Sequence, residues 1–317
     1  MTASPTPSQL TLMTVHAHPD DETIGTGGVM ARAVADGRRL VLVTCTRGEL
    51  GEIVDPELDT PANHRRLGEI RAAELEAAMT ALGVTEWENL GYRDSGMMGQ
   101  PGNHDPRSFW RADRDEAIGR LVWMVRRYRP DVITGYNRFG GYGHPDHVNA
   151  HHVAVGAFYR AGDPEWYPEQ VTPEHGGTGP AEADGGLRPW APAKLYEQAM
   201  GRARREAMAV RMEAAGVRSF WSRPDAADAT AVAAWETFMR RSTVDDEEIT
   251  TRVECAGFAP QRWSALLAHR TQLSMESPLL AMGADALAEL MGEETFILRA
   301  ARVTTTIPEA DLFEGLD

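Results

Sequence analysis

Two short segments concentrate the side chains that could do chemistry. His18, Asp20 and Asp21 fall within four residues, in His-Pro-Asp-Asp, and His144, Asp146 and His147 fall within four residues, in His-Pro-Asp-His. Imidazole nitrogen and carboxylate oxygen are donors that zinc favours, and a catalytic zinc takes three protein ligands and keeps one position open. Two His and one Asp would leave the ion with one net positive charge. Adjacent carboxylates in a turn point in different directions, so one of Asp20 and Asp21 can bind a cation while the other acts as base on the hydrolytic water. That is the equipment of metal-assisted hydrolysis. The plainer explanation is that these residues make turns and cap helices, with Asp146 as an N-cap. Two such clusters, each at the end of a strand-like run, make that explanation harder to sustain than either cluster alone.

The elements that must position these clusters are legible in the first half of the chain. Leu10 to Ala17 (LTLMTVHA) is an apolar run of strand formers, and Arg39 to Thr46 (RLVLVTCT) is a second, which does not alternate and so is buried on both faces. Strands are also expected over Trp87 to Gly91 and Asp131 to Tyr136. Helices are expected from about Gly27 to Ala35, from Arg65 to Leu82, from Asp113 to Tyr128, and onward from Asp146 or His147. This alternation predicts an α/β fold, a Rossmann-like, mostly parallel sheet with helices on both faces. In such sheets ligands sit at the carboxyl ends of strands, where both clusters fall. Residues 97–108 and 163–192 read as loops rich in Gly, Pro and charge, of a length found in functional lids or in disordered segments. From Ala193 the chain reads as mainly helical, with strand candidates at Ile249 to Cys255 and Thr295 to Val303. The organisation expected is a disordered lead over residues 1–9 and a single domain over residues 10–317.

HAHPDDE before a helix, with GGYGHPDH far along the chain, resembles the LmbE/PIG-L family of zinc N-deacetylases, and within it the mycothiol branch of deacetylases and S-conjugate amidases. The resemblance runs from about Leu10 to Ala161, with weaker stretches near Thr250 to Leu273 and at the extreme C-terminus. It implies an LmbE-like fold and a divalent ion, Zn²⁺ with Fe²⁺ or another metal as alternatives, held by His18, Asp21 and His147. It implies Asp20 as general base, His144 as electrostatic stabiliser or general acid, Asp146 as the carboxylate that orients the His144 ring, and Tyr142 as a donor to the oxyanion. It implies Arg71 (in IRAAEL) and Asp94 (in RDSGM) near the sugar. The activity implied is hydrolysis of the N-acyl amide of an amino sugar such as an N-acetylglucosaminide, releasing acetate and free amine. GEIVDPELD, TTRVEC and the LFEGLD ending resemble the amidase branch, which would cleave a larger N-acyl cysteinyl conjugate of the same sugar. A non-catalytic metal or sugar binder is the third reading, and it leaves Asp20 and His144 idle.

Weaker signals surround these. His16 lies two residues before His18, so on a strand both face one side; it is either behind the site or a core histidine. His269, in AHRTQ, resembles a C-terminal motif of the family and is either near the pocket or on a helix face. His151 is four residues beyond His147, a spacing that could mimic a zinc pair. Arg47, Glu49 and Glu52 could line the pocket or be surface charges. Gly25-Thr26-Gly27-Gly28 lacks the third glycine of a dinucleotide loop, since Met30 stands there.

The bulk numbers narrow the class. A net charge of −15 and a pI of about 5.1 argue against nucleic acid as a partner. Lys194 is the single lysine, which excludes a Walker-type loop and confines Schiff-base chemistry to that position. No apolar run is long enough to span a bilayer, the N-terminus has no secretory pattern, and two cysteines do not build a disulfide framework. The expectation is a cytoplasmic enzyme with a small amino-sugar substrate and no membrane or nucleic-acid partner; a homo-oligomer is compatible with the sequence.

Overall fold

The computed structural model describes residues 9–179, 187–217 and 222–316. The expected lead over residues 1–9 lies outside these apart from Gln9, and so do residues 180–186 of the 163–192 loop. The elements run β1 (Thr11–His16), α1 (Asp21–Ala35), β2 (Arg39–Thr46), α2 (Pro61–Arg65), α3 (Leu67–Leu82), β3 (Glu86–Tyr92), α4 (Arg114–Tyr128), β4 (Val132–Gly135), α5 (Gly140–Gly143), α6 (Pro145–Arg160), β5 (Lys194–Gln198), α7 (Arg202–Ala214), α8 (Ala229–Ser242), β6 (Thr251–Glu254), α9 (Ala259–Ala268), α10 (Ala284–Leu290) and β7 (Glu293–Ala301).

The strands form one sheet in the order β3-β2-β1-β4-β5-β7-β6. The first five are parallel; β7 pairs antiparallel with both β5 and β6. The expected α/β sheet is therefore parallel through its centre, and the two C-terminal strand candidates complete its far edge. Side chains alternate between two layers, as the two-residue period of a strand requires. Met13, Val15, Val41, Val43 and Ile133 pack with Leu121 and Val125 of α4 and Val153 and Ala157 of α6. Leu12, Leu40, Leu42 and Val132 pack on the opposite face with Val29 and Met30 of α1, Met79 of α3 and Ala265 of α9. Fully burying side chains of this size stabilises by roughly 1.5–3 kcal/mol each, so this double core fixes the strand ends firmly.

The chain winds from β1 outward to β2 and β3, then returns to add β4 and β5 on the other side of β1. The direction of winding reverses between β1 and β4, which opens a crevice beyond their carboxyl ends. His-Pro-Asp-Asp leaves β1 there, and Gly-Gly-Tyr-Gly-His-Pro-Asp-His follows β4 there. Helices α1 and α6 begin at these segments, so the positive ends of two long helix dipoles converge on the crevice.

The 163–192 loop is tied down where it is described. Arg126 of α4 is fully buried and donates to the carbonyls of Ala161, Asp163, Trp166 and Tyr167. That fan of bonds satisfies the buried guanidinium and closes the start of the loop against α4.

Candidate metal centre and active site

Asp20 and Asp21 diverge because of the backbone between them. Asp20 takes φ 112°, in the region that side chains avoid, and α1 starts at Asp21. Asp21 turns inward: its Oδ2 accepts the His18 N–H at 2.9 Å and lies 3.3 Å from His18 Nδ1 and 3.3 Å from His147 Nε2. Asp20 turns toward α3, where Arg71 Nη2 lies 3.2 Å from its Oδ1.

The second segment delivers its histidines through a glycine turn. Gly140, Gly141 and Gly143 all have positive φ, and a Cβ on Gly140 would stand 2.6 Å from the Cβ of His147. Only glycine lets this turn lie against α6. The turn sets the Tyr142 ring edge-on to His147, with centroids 4.8 Å apart. His144 is the N-cap of α6 and Pro145 its first residue; the His144 Nδ1 accepts the Asp146 N–H at 3.1 Å. That bond fixes the tautomer, since an accepting Nδ1 leaves the proton on Nε2.

The sequence-predicted set is thus brought together in the crevice. The rings of His18, His144 and His147 lie 4.6 to 5.2 Å apart. Potential ligand atoms of His18, His144 and His147 lie within 4.8 Å of one another, as do those of His18, Asp94, His144 and Asp146. Three findings fit a divalent cation among His18, Asp21 and His147. Asp21 Oδ2 lies between the two rings, 3.3 Å from His18 Nδ1 and from His147 Nε2, about the separation of two donors that share one zinc ion. Both ring nitrogens of His147 are buried without a hydrogen-bond partner, and a cation bound at Nε2 would give that nitrogen one. Buried carboxylates also crowd His18: Asp21, Asp94 and Asp146 lie at 3.3, 3.6 and 3.2 Å from its ring nitrogens, and that density of negative charge calls for a cation.

Electrostatics follow the packing. Burial works against a charged His18, but Asp94, Asp146 and Asp21 outweigh it and raise its pKa well above the ordinary value. Burial pushes His144 down to about 2, helped by its neighbours His18 and His147, so the ring is a neutral Nε2–H donor. Burial pushes the Asp20 carboxyl up to about 6 although Arg71 opposes it. Burial, with Asp21 nearby, raises the Tyr142 phenol, which keeps its proton.

One expectation changes on the structure, and two further residues are held by the protein itself. The Asp146 carboxylate does not reach the His144 ring. It accepts from the Ser95 N–H and hydroxyl and faces His18 Nε2 at 3.2 Å; only its backbone N–H meets His144. The carboxylate–imidazole pair is therefore Asp146–His18, with the other nitrogen of His18 turned to Asp21, the arrangement that orients a metal-ligating histidine. Asp94 is only 3% exposed; its oxygens accept from the N–H groups of Leu50 and Gly96, and one lies 3.6 Å from His18 Nε2. Arg71 is equally buried and donates to the carbonyls of Gly48 and Pro19; it holds the loops of the crevice, with its Nε–H left unpartnered.

Other sequence signals resolve plainly. His16 is a core histidine: it is fully buried, pairs with Thr26 Oγ1 at 2.9 Å, and burial pushes its pKa down to about 4. His151 is bonded to the Tyr136 carbonyl at 2.9 Å and stays out of the cluster. Glu49 accepts the Asp94 N–H at 3.0 Å. Sequence reasoning missed Ser95 and Tyr136. The Tyr136 hydroxyl accepts the Ala17 N–H at 3.0 Å and its ring lies 4.3 Å from that of His147. Its position, just beyond β4 and opposite the end of β1, is the one signal that could have found it.

Residues 13–158 match the family model PIG-L, GlcNAc-PI de-N-acetylase. Over nearly its whole length the chain is similar to 1D-myo-inositol 2-acetamido-2-deoxy-alpha-D-glucopyranoside deacetylases. It is 41% identical to that of Geodermatophilus obscurus, covering 98% of this chain and 99% of the relative, and 40% identical to that of Streptomyces avermitilis, covering 96% and 97%. The chain belongs to the PIG-L family. Among solved structures, the PIG-L fold of this chain is similar to N,N'-diacetylchitobiose deacetylase from Pyrococcus horikoshii, with a TM-score of 0.58 at 19% identity over 92% of this chain and 84% of that one. It is also similar to a conserved protein of Thermus thermophilus, with a TM-score of 0.55 at 22% identity over 94% and 98%. Both likenesses concern the fold, the expected LmbE-like α/β sheet. No helix among the described residues is long and apolar enough to cross a membrane.

Proposed function

We propose that this protein is a zinc-dependent N-deacetylase that hydrolyses the acetamide of an N-acetylglucosaminide linked to inositol, giving acetate and the free amine. The observation that carries the reading is the spare carboxylate of Asp20 beside the His18–Asp21–His147 group. A purely structural metal site calls for no such base, whereas hydrolysis does. The full-length likeness to relatives named for this substrate supports the choice of sugar. The nitrogen-and-carboxylate donor set suits Zn²⁺, with Fe²⁺ the alternative. Buried free thiols at Cys45 and Cys255 support a reducing, cytoplasmic setting.

In this reading His18, Asp21 and His147 hold the ion, and Asp146 fixes the His18 ring. The ion, when bound, supplies Lewis acidity to the amide carbonyl and makes water easier to deprotonate. Asp20 takes a proton from water as the water oxygen bonds to the carbonyl carbon. The Tyr142 hydroxyl and His144 Nε2–H donate to the oxygen that becomes negative. The carbon–nitrogen bond then breaks, and the proton held by Asp20 passes to the departing nitrogen. Arg71, 3.2 Å from the Asp20 carboxylate, keeps Asp20 in place.

The test is to supply the acetamido sugar and, side by side, an S-conjugate of the corresponding N-acyl cysteinyl sugar, and to measure acetate and primary amine. Acetate release should dominate. Asp20→Ala should bind one equivalent of metal and lose roughly 10²- to 10⁴-fold in kcat. Turnover of the S-conjugate alone, or wild-type kcat for Asp20→Ala, would overturn the reading.

A further inference from the structure

Behind Asp20 lies a buried group that the reaction above leaves without a part: Glu22, Thr23 and His269, each with no exposed surface. The Glu22 carboxylate is shared between two jobs. Its Oε2 accepts the Asp20 N–H at 2.9 Å, while Oε1 accepts the Thr23 hydroxyl at 2.7 Å and faces His269 Nε2 at 3.0 Å. His269 comes from far along the chain, at the end of α9, which packs on both α1 and α3.

The peptide bond between Pro19 and Asp20 is therefore gripped at both ends. Arg71 donates to its oxygen, the Pro19 carbonyl, and Glu22 accepts from its nitrogen, the Asp20 N–H. Asp20 has φ 112° and ψ −34°, a conformation that persists only where the surroundings over-determine it. That twist sends Asp20 toward Arg71 while Asp21 faces His18 and His147. If the peptide plane turned, the Asp20 carboxylate would swing with it.

We propose that Glu22 and His269 are positioning residues that lock the Pro19–Asp20 peptide plane and so aim the Asp20 carboxylate at the hydrolytic water. The inference rests on the reading of Asp20 as the base. Glu22 supplies the acceptor, and His269 and Thr23 keep that acceptor from rotating away. None of the three has exposed surface with which to meet a substrate.

The experiment compares His269→Leu, which removes the donor, with His269→Gln, whose amide nitrogen can reach the place of Nε2. In metal-loaded protein His269→Leu should lower kcat by roughly 10- to 100-fold, the scale of a misplacement near 1 Å, with KM and metal stoichiometry unchanged. His269→Gln should recover most of that loss. In metal-free protein, hydrogen exchange of a peptide spanning residues 16–24 should quicken in His269→Leu and not in His269→Gln. The same substitutions in an Asp20→Asn background should have almost no further effect on kcat, since a residue acting through Asp20 has nothing left to position. Should His269→Leu fail to fold, Thr23→Val tests the same support with a smaller loss, on the order of 3- to 10-fold for one hydrogen bond. Wild-type kcat in His269→Leu or Thr23→Val, loss of metal in either, or equal losses with and without Asp20 would overturn the proposal. Full turnover by Asp20→Asn would overturn the base assignment instead, so the two failures are distinguishable.

Discussion

Replacing Asp146 by asparagine separates two accounts of what that residue does. Its carboxylate is fully buried; Oδ2 serves both the Ser95 N–H and His18 Nε2, and Oδ1 serves the Ser95 hydroxyl. Asparagine fits the same space. Its NH₂ would take the Oδ1 place, where the Ser95 hydroxyl can rotate to accept, and its oxygen would still face Ser95 N–H and His18. What disappears is the charge on the bond to His18. A charge-assisted hydrogen bond contributes about twice a neutral one, a difference of about 1–2 kcal/mol. Metal affinity should therefore weaken by roughly 5- to 30-fold, at 1.4 kcal/mol per factor of ten. Asp146→Ala also strands the donors of Ser95 and should fall by roughly 100-fold, the top of the range for groups that orient a ligating histidine. Titrating metal-free protein against a chromophoric chelator reads both values. If both variants bind metal like the wild type while kcat collapses, Asp146 acts through His144, as the family resemblance implied, and not through His18.

Other consequences follow from single contacts. Gly140→Ala puts a methyl group against His147 at a residue with positive φ; it should cost roughly 1–2 kcal/mol from the backbone alone and weaken metal binding, and an unchanged Tm with unchanged metal affinity would contradict this. Lys194 and Glu309 form an ion pair with both side chains fully buried, so Lys194→Met should destabilise by about 3–5 kcal/mol in chemical denaturation near neutral pH. Burial alone would raise the Glu309 carboxyl, but bonds from Lys194, Thr305, Tyr196 and Thr251 hold it below its ordinary value. A depressed carboxyl stabilises above its unfolded pKa and loses that contribution as pH falls, so the gap between wild type and Lys194→Met should close below about pH 4. A gap that stays constant from pH 7 to pH 3 would show that the pair is not the cause.

The site was legible in outline because its chemistry is local in sequence: each cluster is one turn at one strand end, and a parallel sheet brings such turns together. What stayed hidden depends on direction and burial. Asp146 lies two residues after His144, and the family resemblance implied that the two side chains meet. At a helix N-terminus the cap side chain takes the backbone N–H of that second following residue, whose own side chain then points elsewhere, here across to Ser95 and His18. Arg71 and Asp94 were placed near the sugar by the family resemblance; nothing in the sequence revealed that loop amides and carbonyls also bond to them. Helix α1 was expected only from about Gly27, since His-Pro-Asp-Asp-Glu reads as a polar turn. It starts at Asp21 because Glu294 and Arg262 bond its backbone and because Gly28 lets Cys255 approach, where a Cβ would stand 2.6 Å from the Cys255 Cβ. Those partners come from β7, α9 and the end of β6, and no local pattern announces them.

The central claim is that His18, Asp21 and His147 hold one divalent ion with Asp20 left outside its ligand set. Anomalous X-ray diffraction at the zinc edge, from crystals of the zinc-loaded protein, tests it most directly. One peak should lie about 2.0–2.2 Å from His18 Nδ1, Asp21 Oδ2 and His147 Nε2, with the carboxylate of Asp20 beyond bonding distance. A peak bound instead among Asp94, His144 and Asp146, or one coordinated by Asp20, would contradict it.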